Sequence, residues 1–130
     1  ELRNATKRSK MMLTCYPGGG ARYTRHCDNA NRNGRRLTAI LYLNPAWRDG
    51  DGGELRVYGP GTSEDVVATV APLSNRLLIF WSDARAPHEV LPAHAERFAA
   101  TIWFFDVDEK AAAEAAEAEV DDAERLRIEK

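Results

Sequence analysis

The chain has 130 residues with a formal net charge of −2, and 44% of its residues are hydrophobic. These values are ordinary for one globular domain with a single hydrophobic core. No apolar run is long enough to span a membrane, and no part of the chain has the strong excess of basic residues typical of nucleic-acid binders. We therefore expect neither a transmembrane helix nor a nucleic-acid partner, and composition leaves the oligomeric state open.

Two cysteines, Cys15 and Cys27, are too few for a disulfide framework. Residues 1–6 also lack the apolar stretch of a secretory signal. We therefore expect a reducing compartment, namely the cytoplasm, the nucleus or both.

Short apolar or alternating segments, separated by turns rich in Gly and Pro, predict strands in the first 105 residues. The predicted strands are residues 11–16, 23–28, 36–44, 54–58, 66–70, 76–81 and 98–105. Both faces of the segment 36–44 are apolar, so we expect it to be buried on both sides. Many short strands with regular turn signals indicate a mainly β fold, a sandwich or jelly roll.

The segment 106–130 differs from the rest, because it contains seven alanines and ten acidic residues but no Gly or Pro. This composition predicts a helix with Asp106 or Asp108 as its N-cap. The apolar stripe of the helix is thin and consists of Val107, Val120, Leu126 and Ile128. We therefore divide the chain into a β core, residues 1–105, and a solvated acidic helix, residues 106–130, whose far end packs loosely.

A candidate metal site rests on His26, Asp28 and His88. Positions i and i+2 of an extended segment point to the same side, so His26 and Asp28 can face one point. His88 lies far along the chain and can join them only if the fold pairs distant strands. Two imidazoles and one carboxylate are the donor set of non-haem Fe(II) oxygenases. Cys27 would point to the opposite side, so we assign it to packing.

Arg97 is a candidate clamp for a carboxylate. We expect residues 90–96 to form a hairpin loop, which would place His88 and Arg97 on neighbouring strands and both side chains in one cavity. Along the second strand, period two puts Ala99, Thr101 and Trp103 on the same face as Arg97. A small dicarboxylate could then chelate the metal at one end and bind Arg97 at the other, with a hydrogen bond from Tyr42. His94, in the loop, we assign to solvent.

Seven segments, in order, closely resemble the oxygen-sensing prolyl hydroxylases (the HIF prolyl hydroxylase, or egg-laying-nine, family). They are residues 15–18 (CYPG), 23–29 (YTRHCDN), 42–44 (YLN), 52–56 (GGELR), 77–83 (LLIFWSD), 87–90 (PHEV) and 101–106 (TIWFFD). The resemblance covers about residues 7–110. It implies a double-stranded β-helix, Fe(II) as cofactor, 2-oxoglutarate and O2 as cosubstrates, and ascorbate as a reductant.

The same resemblance implies roles for individual residues. His26, Asp28 and His88 match iron ligands, and Arg97 matches the clamp for the 2-oxoglutarate C5 carboxylate. The other matched positions fall into three groups: Tyr16 and Tyr42 as phenols that bind the cosubstrate, Leu55 and Thr101 as pocket-lining residues, and Tyr23, Arg35 and Trp103 near the prolyl substrate.

The activity implied by the resemblance is hydroxylation of C4 of a prolyl residue in a protein or peptide, with release of succinate and CO2. Two alternatives stay open: a related oxygenase acting on another C–H bond, and a non-catalytic fragment that binds metal and 2-oxoglutarate. The family's catalytic domain has a substantial N-terminal helical part that is not seen before the first strand here, so we expect either a fragment or a minimal enzyme. Basic residues near the first ligand would favour an acidic peptide or simply form a solvated loop; they are Arg22, Arg25, Arg32, Arg35 and Arg36.

Overall fold

Residues 2–128 are described by the computed structural model, with side chains described for residues 2–120 and 124. This part of the chain contains nine strands and one helix. The strands are β1 (Lys7–Arg8), β2 (Met12–Tyr16), β3 (Ala21–His26), β4 (Arg35–Tyr42), β5 (Leu55–Tyr58), β6 (Val66–Val70), β7 (Leu77–Trp81), β8 (His88–Ala93) and β9 (Arg97–Phe105), and the helix is α1 (Val107–Ile128).

The strands form two antiparallel sheets. The large sheet has the order β1-β9-β4-β7, with β2 also pairing with β9, and the small sheet has the order β3-β8-β5-β6. Most of these neighbours are distant in sequence, as when β2 pairs with β9 and β3 with β8. Two facing antiparallel sheets built from such long-range pairs are a jelly roll, so the predicted mainly β fold with a C-terminal helix is confirmed.

The predicted hairpin loop at residues 90–96 is wrong, because residues 90–93 belong to β8. Val90 lies in register with Tyr23 of β3 on one side and with Leu55 of β5 on the other. Pairing on both sides satisfies the backbone hydrogen bonds of β8 and outweighs the turn signal of Pro92. Consecutive strands β8 and β9 consequently belong to opposite sheets, so His88 and Arg97 do not lie on neighbouring strands of one sheet.

The prediction that β4 is buried on both faces holds for its middle, where Ala39 on the outer face is 6% exposed, and is wrong for its end. Its inner side chains Thr38, Ile40 and Tyr42 are at most 8% exposed, whereas Leu41 on the outer face is 37% exposed. The inner residues join the core between the sheets, around Tyr42 and Leu55. Other large apolar side chains of the large sheet are likewise exposed to solvent: Leu13, Leu77, Ile79 and Phe98. The described residues thus leave the outer face of this sheet both apolar and accessible.

Helix α1 begins after Asp106, which is its N-cap. The Asp106 Oδ1 atom accepts hydrogen bonds from the backbone N–H groups of Asp108 and Glu109, both at 3.1 Å. Arg36 binds the other carboxylate oxygen at 2.7 Å, which ties the start of the helix to β4. Val120 is 64% exposed, as expected for a solvated helix, while the side chains of Leu126 and Ile128 lie outside the described residues. No helix in residues 2–128 is long and apolar enough to cross a membrane.

Candidate active site

A cavity of about 540 Å³ lies between the two sheets and contains nearly all the candidate residues. Its lining includes ten of the eleven: Tyr16, Tyr23, His26, Asp28, Arg35, Leu55, His88, Arg97, Thr101 and Trp103. Tyr42 is the exception, because it is fully buried in the core behind Arg97. Although β8 and β9 are in opposite sheets, His88 and Arg97 still face one cavity, because both side chains point inward from facing sheets.

The two candidate imidazoles meet because β3 and β8 pair. His26 at the end of β3 is in register with His88 at the start of β8. Their ring centroids are 4.4 Å apart. His88 is only 4% exposed and packs edge-on against Phe80. A pair of residues that the sequence separates widely therefore forms one wall of the cavity.

Asp28 completes the group from the turn that follows β3. Its Oδ1 atom lies 3.2 Å from Nε2 of His26 and 3.6 Å from Nε2 of His88. One possible ligand atom from each of these three residues lies within 4.8 Å of the others. Strand β3 ends at His26, so the convergence comes from a strand end and a turn rather than from one continuous extended segment.

Backbone carbonyls orient both imidazoles. Nδ1 of His26 lies 2.8 Å from the carbonyl oxygen of Thr24, and Nδ1 of His88 lies 3.0 Å from that of Ala86. A carbonyl oxygen can only accept a hydrogen bond, so Nδ1 carries the proton in each neutral ring. The lone pair of each Nε2 is then directed toward Asp28, as in histidine ligands whose second nitrogen is held by a hydrogen bond.

The charge states of Asp28 and His88 suit a divalent cation. Burial raises the pKa of Asp28, but hydrogen bonds from His26 and Thr38 and the nearby His88 outweigh it, and the pKa is about 2. Burial also lowers the pKa of His88. Near neutral pH the site thus offers an ionised carboxylate and a neutral His88 imidazole. Burial lowers the pKa of His26, but its hydrogen bonds to Asp28 and Thr24 outweigh this and raise it, so metal binding would displace a proton from Nε2 of His26.

Arg97 is a buried cation at the start of β9, with 3% of its surface exposed. Its Nε donates a 2.6 Å hydrogen bond to the carbonyl oxygen of Gly53, and its guanidinium carbon lies 5.0 and 5.1 Å from the ring centres of Tyr16 and Tyr42. Among the residues that the structure describes, no carboxylate forms an ion pair with Arg97. The buried Tyr42 hydroxyl contacts Arg97, which can only donate, so the proton of this hydroxyl has no acceptor. A buried cation and a buried donor thus lie side by side, and a ligand carboxylate could satisfy both.

Tyr23, Arg35 and Trp103, the residues matched to the substrate side, line the same cavity as the candidate metal ligands. These ligands, His26, Asp28 and His88, are called the metal group below. Tyr23 is 52% exposed, and its ring lies 4.3 Å from that of His26. The guanidinium of Arg35 stacks 4.0 Å above the Trp103 ring and also donates a 3.3 Å hydrogen bond to the backbone oxygen of Asp28. These side chains therefore connect the accessible part of the cavity to the metal group.

The basic side chains near the first ligand are largely engaged within the protein. Arg25 forms an ion pair with Glu64 at 3.3 Å and stacks on Tyr58. Arg36 is held by Asp106, as described above. Together with those of Arg35, these contacts account for three of the five arginines without an acidic peptide.

Sequence reasoning missed several cavity residues. Period two along β2 and β4, counted back from the matched phenols Tyr16 and Tyr42, would have found four of them: Met12, Thr14, Ile40 and Thr38. Val90 follows His88 by the same rule. Cys27 also lines the cavity, and its thiol is not part of the metal group. Ser82, which lies behind the cavity and contacts Thr38, follows the inward residues Leu78 and Phe80 of β7 by the same rule.

Comparison with known proteins identifies the class. Residues 11–105 match the model of the 2OG-Fe(II) oxygenase superfamily, so the chain belongs to that superfamily. Within it, the chain is 52% identical over 108 residues to prolyl hydroxylase EGLN3 of Mus musculus. The matched segment covers 82% of this chain and 44% of that relative. The chain is 50% identical over 107 residues to Egl nine homolog 1 of Homo sapiens, covering 82% and 25%. The resemblance to the HIF prolyl hydroxylase family is thus confirmed.

Solved structures agree with this assignment. A prolyl hydroxylase from Trichoplax adhaerens, in complex with a hypoxia inducible factor oxygen degradation domain peptide fragment, has a TM-score of 0.76 and 50% identity, covering 83% of this chain and 48% of that one. A prolyl-4-hydroxylase from Pseudomonas putida has a TM-score of 0.64 and 40% identity, covering 73% and 51%. The chain spans less than half the length of the curated relatives it matches.

Proposed function

We propose that this chain is the catalytic core of an Fe(II)- and 2-oxoglutarate-dependent dioxygenase that hydroxylates C4 of a prolyl residue in a protein. One observation carries the proposal: Nε2 of His26, Nε2 of His88 and Oδ1 of Asp28 converge in the cavity that also contains the buried cation Arg97. A metal group and a carboxylate clamp in one cavity are what a metal-chelating dicarboxylate requires.

The donor set fits Fe(II). Two imidazole nitrogens and one carboxylate oxygen can occupy three coordination positions and leave the others open for cosubstrate and O2. The carboxylate of Asp28 is retained at the third position, and this distinguishes the site from that of a halogenase, in which a halide needs that place. His26, His88 and Asp28 would therefore hold the metal.

The far end of the cavity fits the second carboxylate of 2-oxoglutarate. Arg97 has no counter-ion among the described residues, and the proton of the buried Tyr42 hydroxyl has no acceptor. A bidentate contact with the guanidinium and a hydrogen bond from the phenol would remove both deficits. Tyr16, Leu55 and Thr101 line the space between this end and the metal group.

Fe(II) bound here would, with 2-oxoglutarate and O2, supply the oxidising power that inserts an oxygen atom into a C–H bond and releases succinate and CO2. The chain's own contribution is positioning. Asp28 stays ionised, the carbonyls of Thr24 and Ala86 hold the two rings, and Arg97 fixes the cosubstrate. Apolar side chains of the wall keep water away from the reacting groups: Ile40, Leu55 and Val90.

The substrate side of the cavity supports a prolyl peptide as substrate. Tyr23 and the stacked pair Arg35 and Trp103 present flat, partly accessible surfaces beside the metal group. A saturated five-membered ring can pack on such surfaces while its C–H bonds point toward the metal. The peptide bound in the Trichoplax adhaerens relative supports the same substrate class.

The decisive experiment is turnover of proline-containing peptides with Fe(II), 2-oxoglutarate and ascorbate, followed by mass-spectrometric mapping of the product and measurement of succinate. We expect 4-hydroxyproline and stoichiometric succinate. Asp28→Ala should abolish both, while Asp49→Ala, a matched change at an exposed position, should leave them unchanged. Equal succinate production by wild type and Asp28→Ala would refute the assignment.

Two other outcomes would select the alternatives. A hydroxyl group at another ring position or on another residue would indicate a related oxygenase. Such an activity occurs among the relatives by name, because a protein 32% identical over 84 residues is prolyl 3-hydroxylase OGFOD1 of Xenopus laevis. Binding of Fe(II) and 2-oxoglutarate, seen as a metal-to-ligand charge-transfer band, without any turnover would indicate a binding fragment.

We also propose that the protein works in a reducing compartment, the cytoplasm or the nucleus. Cys15 and Cys27 are both free thiols. Microscopy of the tagged protein in its own cells tests this, and a purely extracellular signal would contradict it.

A further inference from the structure

The two oxygens of the Asp28 carboxylate have different surroundings. Oδ1 faces the two imidazoles, as described above. Oδ2 points away from them and accepts hydrogen bonds from the hydroxyl of Thr38 and from Nε1 of Trp103, the latter at 3.1 Å. The carboxylate is therefore held from behind by two donors from the large sheet.

Thr38 in turn contacts a second hydroxyl. Its Oγ1 lies 2.9 Å from Oγ of Ser82, and the two residues are 1% and 0% exposed. An ionised carboxylate only accepts hydrogen bonds, so the single hydroxyl proton of Thr38 is donated to Asp28. Ser82 must then be the donor to Thr38. Both hydrogen bonds of this series are thus donated in the same direction, from Ser82 to Thr38 and from Thr38 to Asp28.

Ser82, the first donor of this hydrogen-bond series, has a well-anchored backbone. The backbone N–H of Ser82 donates to the carbonyl of Arg36 at 3.1 Å, and its carbonyl accepts from the N–H of Asn29 at 2.7 Å. Ser82 thereby joins the end of β7 to β4 and to the residue that follows Asp28. These hydrogen bonds fix the backbone of Ser82, and the contact with Thr38 selects the direction of its hydroxyl.

We propose that Thr38 is a positioning residue for the metal ligand Asp28, and that Ser82 fixes the hydroxyl proton of Thr38 for this purpose. The inference rests on the proposed function, because it concerns the same metal site. Without the Thr38 donor only Nε1 of Trp103 still holds Oδ2, so the oxygen that faces the imidazoles is less firmly fixed. Partners of this kind, which hold a ligand without touching the metal, typically contribute about 10- to 100-fold to metal affinity.

The test uses the metal-free protein titrated with Co(II), whose visible d–d spectrum reports the ligand geometry, and with Fe(II) without oxygen. We expect Thr38→Val to weaken Co(II) binding by about 10- to 100-fold and to alter the spectrum. Thr38→Ser, which restores the hydroxyl, should return affinity to within about threefold of wild type. Ser82→Ala should lower Co(II) affinity by about three- to tenfold. Thr38 would keep its hydroxyl proton, but the contact that directs this proton toward Asp28 would be lost.

The control is Thr69→Val, the same substitution on the exposed strand β6, which should change neither affinity nor spectrum. If Thr38→Val does not fold, Thr38→Ala takes its place with the same expectation. Wild-type affinity in the Thr38 variant would overturn the proposal, and wild-type affinity in Ser82→Ala would overturn the role of Ser82. Failure of the wild-type protein itself to bind Co(II) or Fe(II) would instead overturn the metal site and the proposed function.

Discussion

His26 and His88 face each other across the pair of antiparallel strands β3 and β8, with 4.4 Å between their ring centres. Side chains alternate between the two faces of a sheet, so a slip of one residue in this pairing would turn one imidazole away from the cavity. The metal group therefore depends on strand register as much as on residue type. The same holds for Arg97, whose position depends on β9.

Replacement of Arg97 should impair cosubstrate binding. Arg97→Ala removes a charge-assisted contact worth about 1.5–3 kcal/mol, so we expect the KM for 2-oxoglutarate to rise by roughly 10- to 100-fold. Arg97→Lys keeps the charge but loses the planar fork, and it should give an intermediate increase. Succinate release at varied 2-oxoglutarate measures this. An unchanged KM in both variants would show that Arg97 does not bind the cosubstrate.

Gly53 should be required for the position of Arg97. A Cβ atom at residue 53 would lie 2.6 Å from Cδ of Arg97, and the backbone there has φ of +74°. Gly53→Ala should therefore displace the guanidinium and raise the KM for 2-oxoglutarate by about tenfold, because misplacing a positioning group by about 1 Å is costly. Gly19 has a similar φ of +64° with nothing within 4 Å, so Gly19→Ala carries the backbone strain alone. Equal effects of the two substitutions on KM would contradict the steric explanation.

Tyr42→Phe should separate stability from binding. The hydroxyl proton of Tyr42 is buried without an acceptor, although the hydroxyl oxygen contacts Arg97, so removal of the hydroxyl should change the unfolding free energy of the metal-free protein by less than about 1 kcal/mol. The same change removes a donor to the cosubstrate, so 2-oxoglutarate affinity should fall by about five- to tenfold. Urea unfolding and ligand titration measure the two effects. A marked loss of stability in the metal-free variant would show that the hydroxyl proton already has an acceptor.

Asp106 should make folding stability depend on pH in the acid range. The hydrogen bond from Arg36 and those from the N–H groups of Glu109 and Asp108 lower the pKa of Asp106. A carboxylate whose folded pKa is below its unfolded value, about 3.9, stabilises the folded state above that pH and loses this effect as the pH falls through the folded pKa. Asp106→Asn retains a capping oxygen but loses the charge. Its deficit in unfolding free energy should be largest near neutral pH.

Urea unfolding of both proteins between pH 7 and pH 2 checks this expectation, with Asp49→Asn as the exposed control. The stability difference between wild type and Asp106→Asn should shrink at the acid end. A difference that stays constant over the whole range would mean that the charge of Asp106 does not contribute.

Local patterns predicted several elements well. The strand Val66–Val70 has the bounds that its β-branched residues and flanking turn signals predicted, and helix α1 begins after the aspartate predicted as a possible cap. Such elements depend on neighbours close in sequence, which the pattern itself displays. The part of β8 that contains Pro92 was missed, because two partner strands from elsewhere in the chain override its local turn signal.

Leu41 shows another limit of predicting burial from the sequence pattern. A run of apolar residues in β4 indicated burial on both faces, yet Leu41 and Leu43 on the outward face remain exposed among the described residues. An apolar side chain reports that burial would be favourable, not that another element is present to bury it.

By itself the sequence determined the kinds of groups in the site. The spacing of His26 and Asp28, the nature of their side chains, and the motifs shared with prolyl hydroxylases were sufficient to predict a candidate ligand set and a candidate clamp, Arg97. Only the tertiary structure decided that His88 lies opposite His26 and that Thr38 and Ser82 support Asp28 from behind. Those relations depend on which distant strands become neighbours and in which register, and long-range packing rather than local spacing sets both.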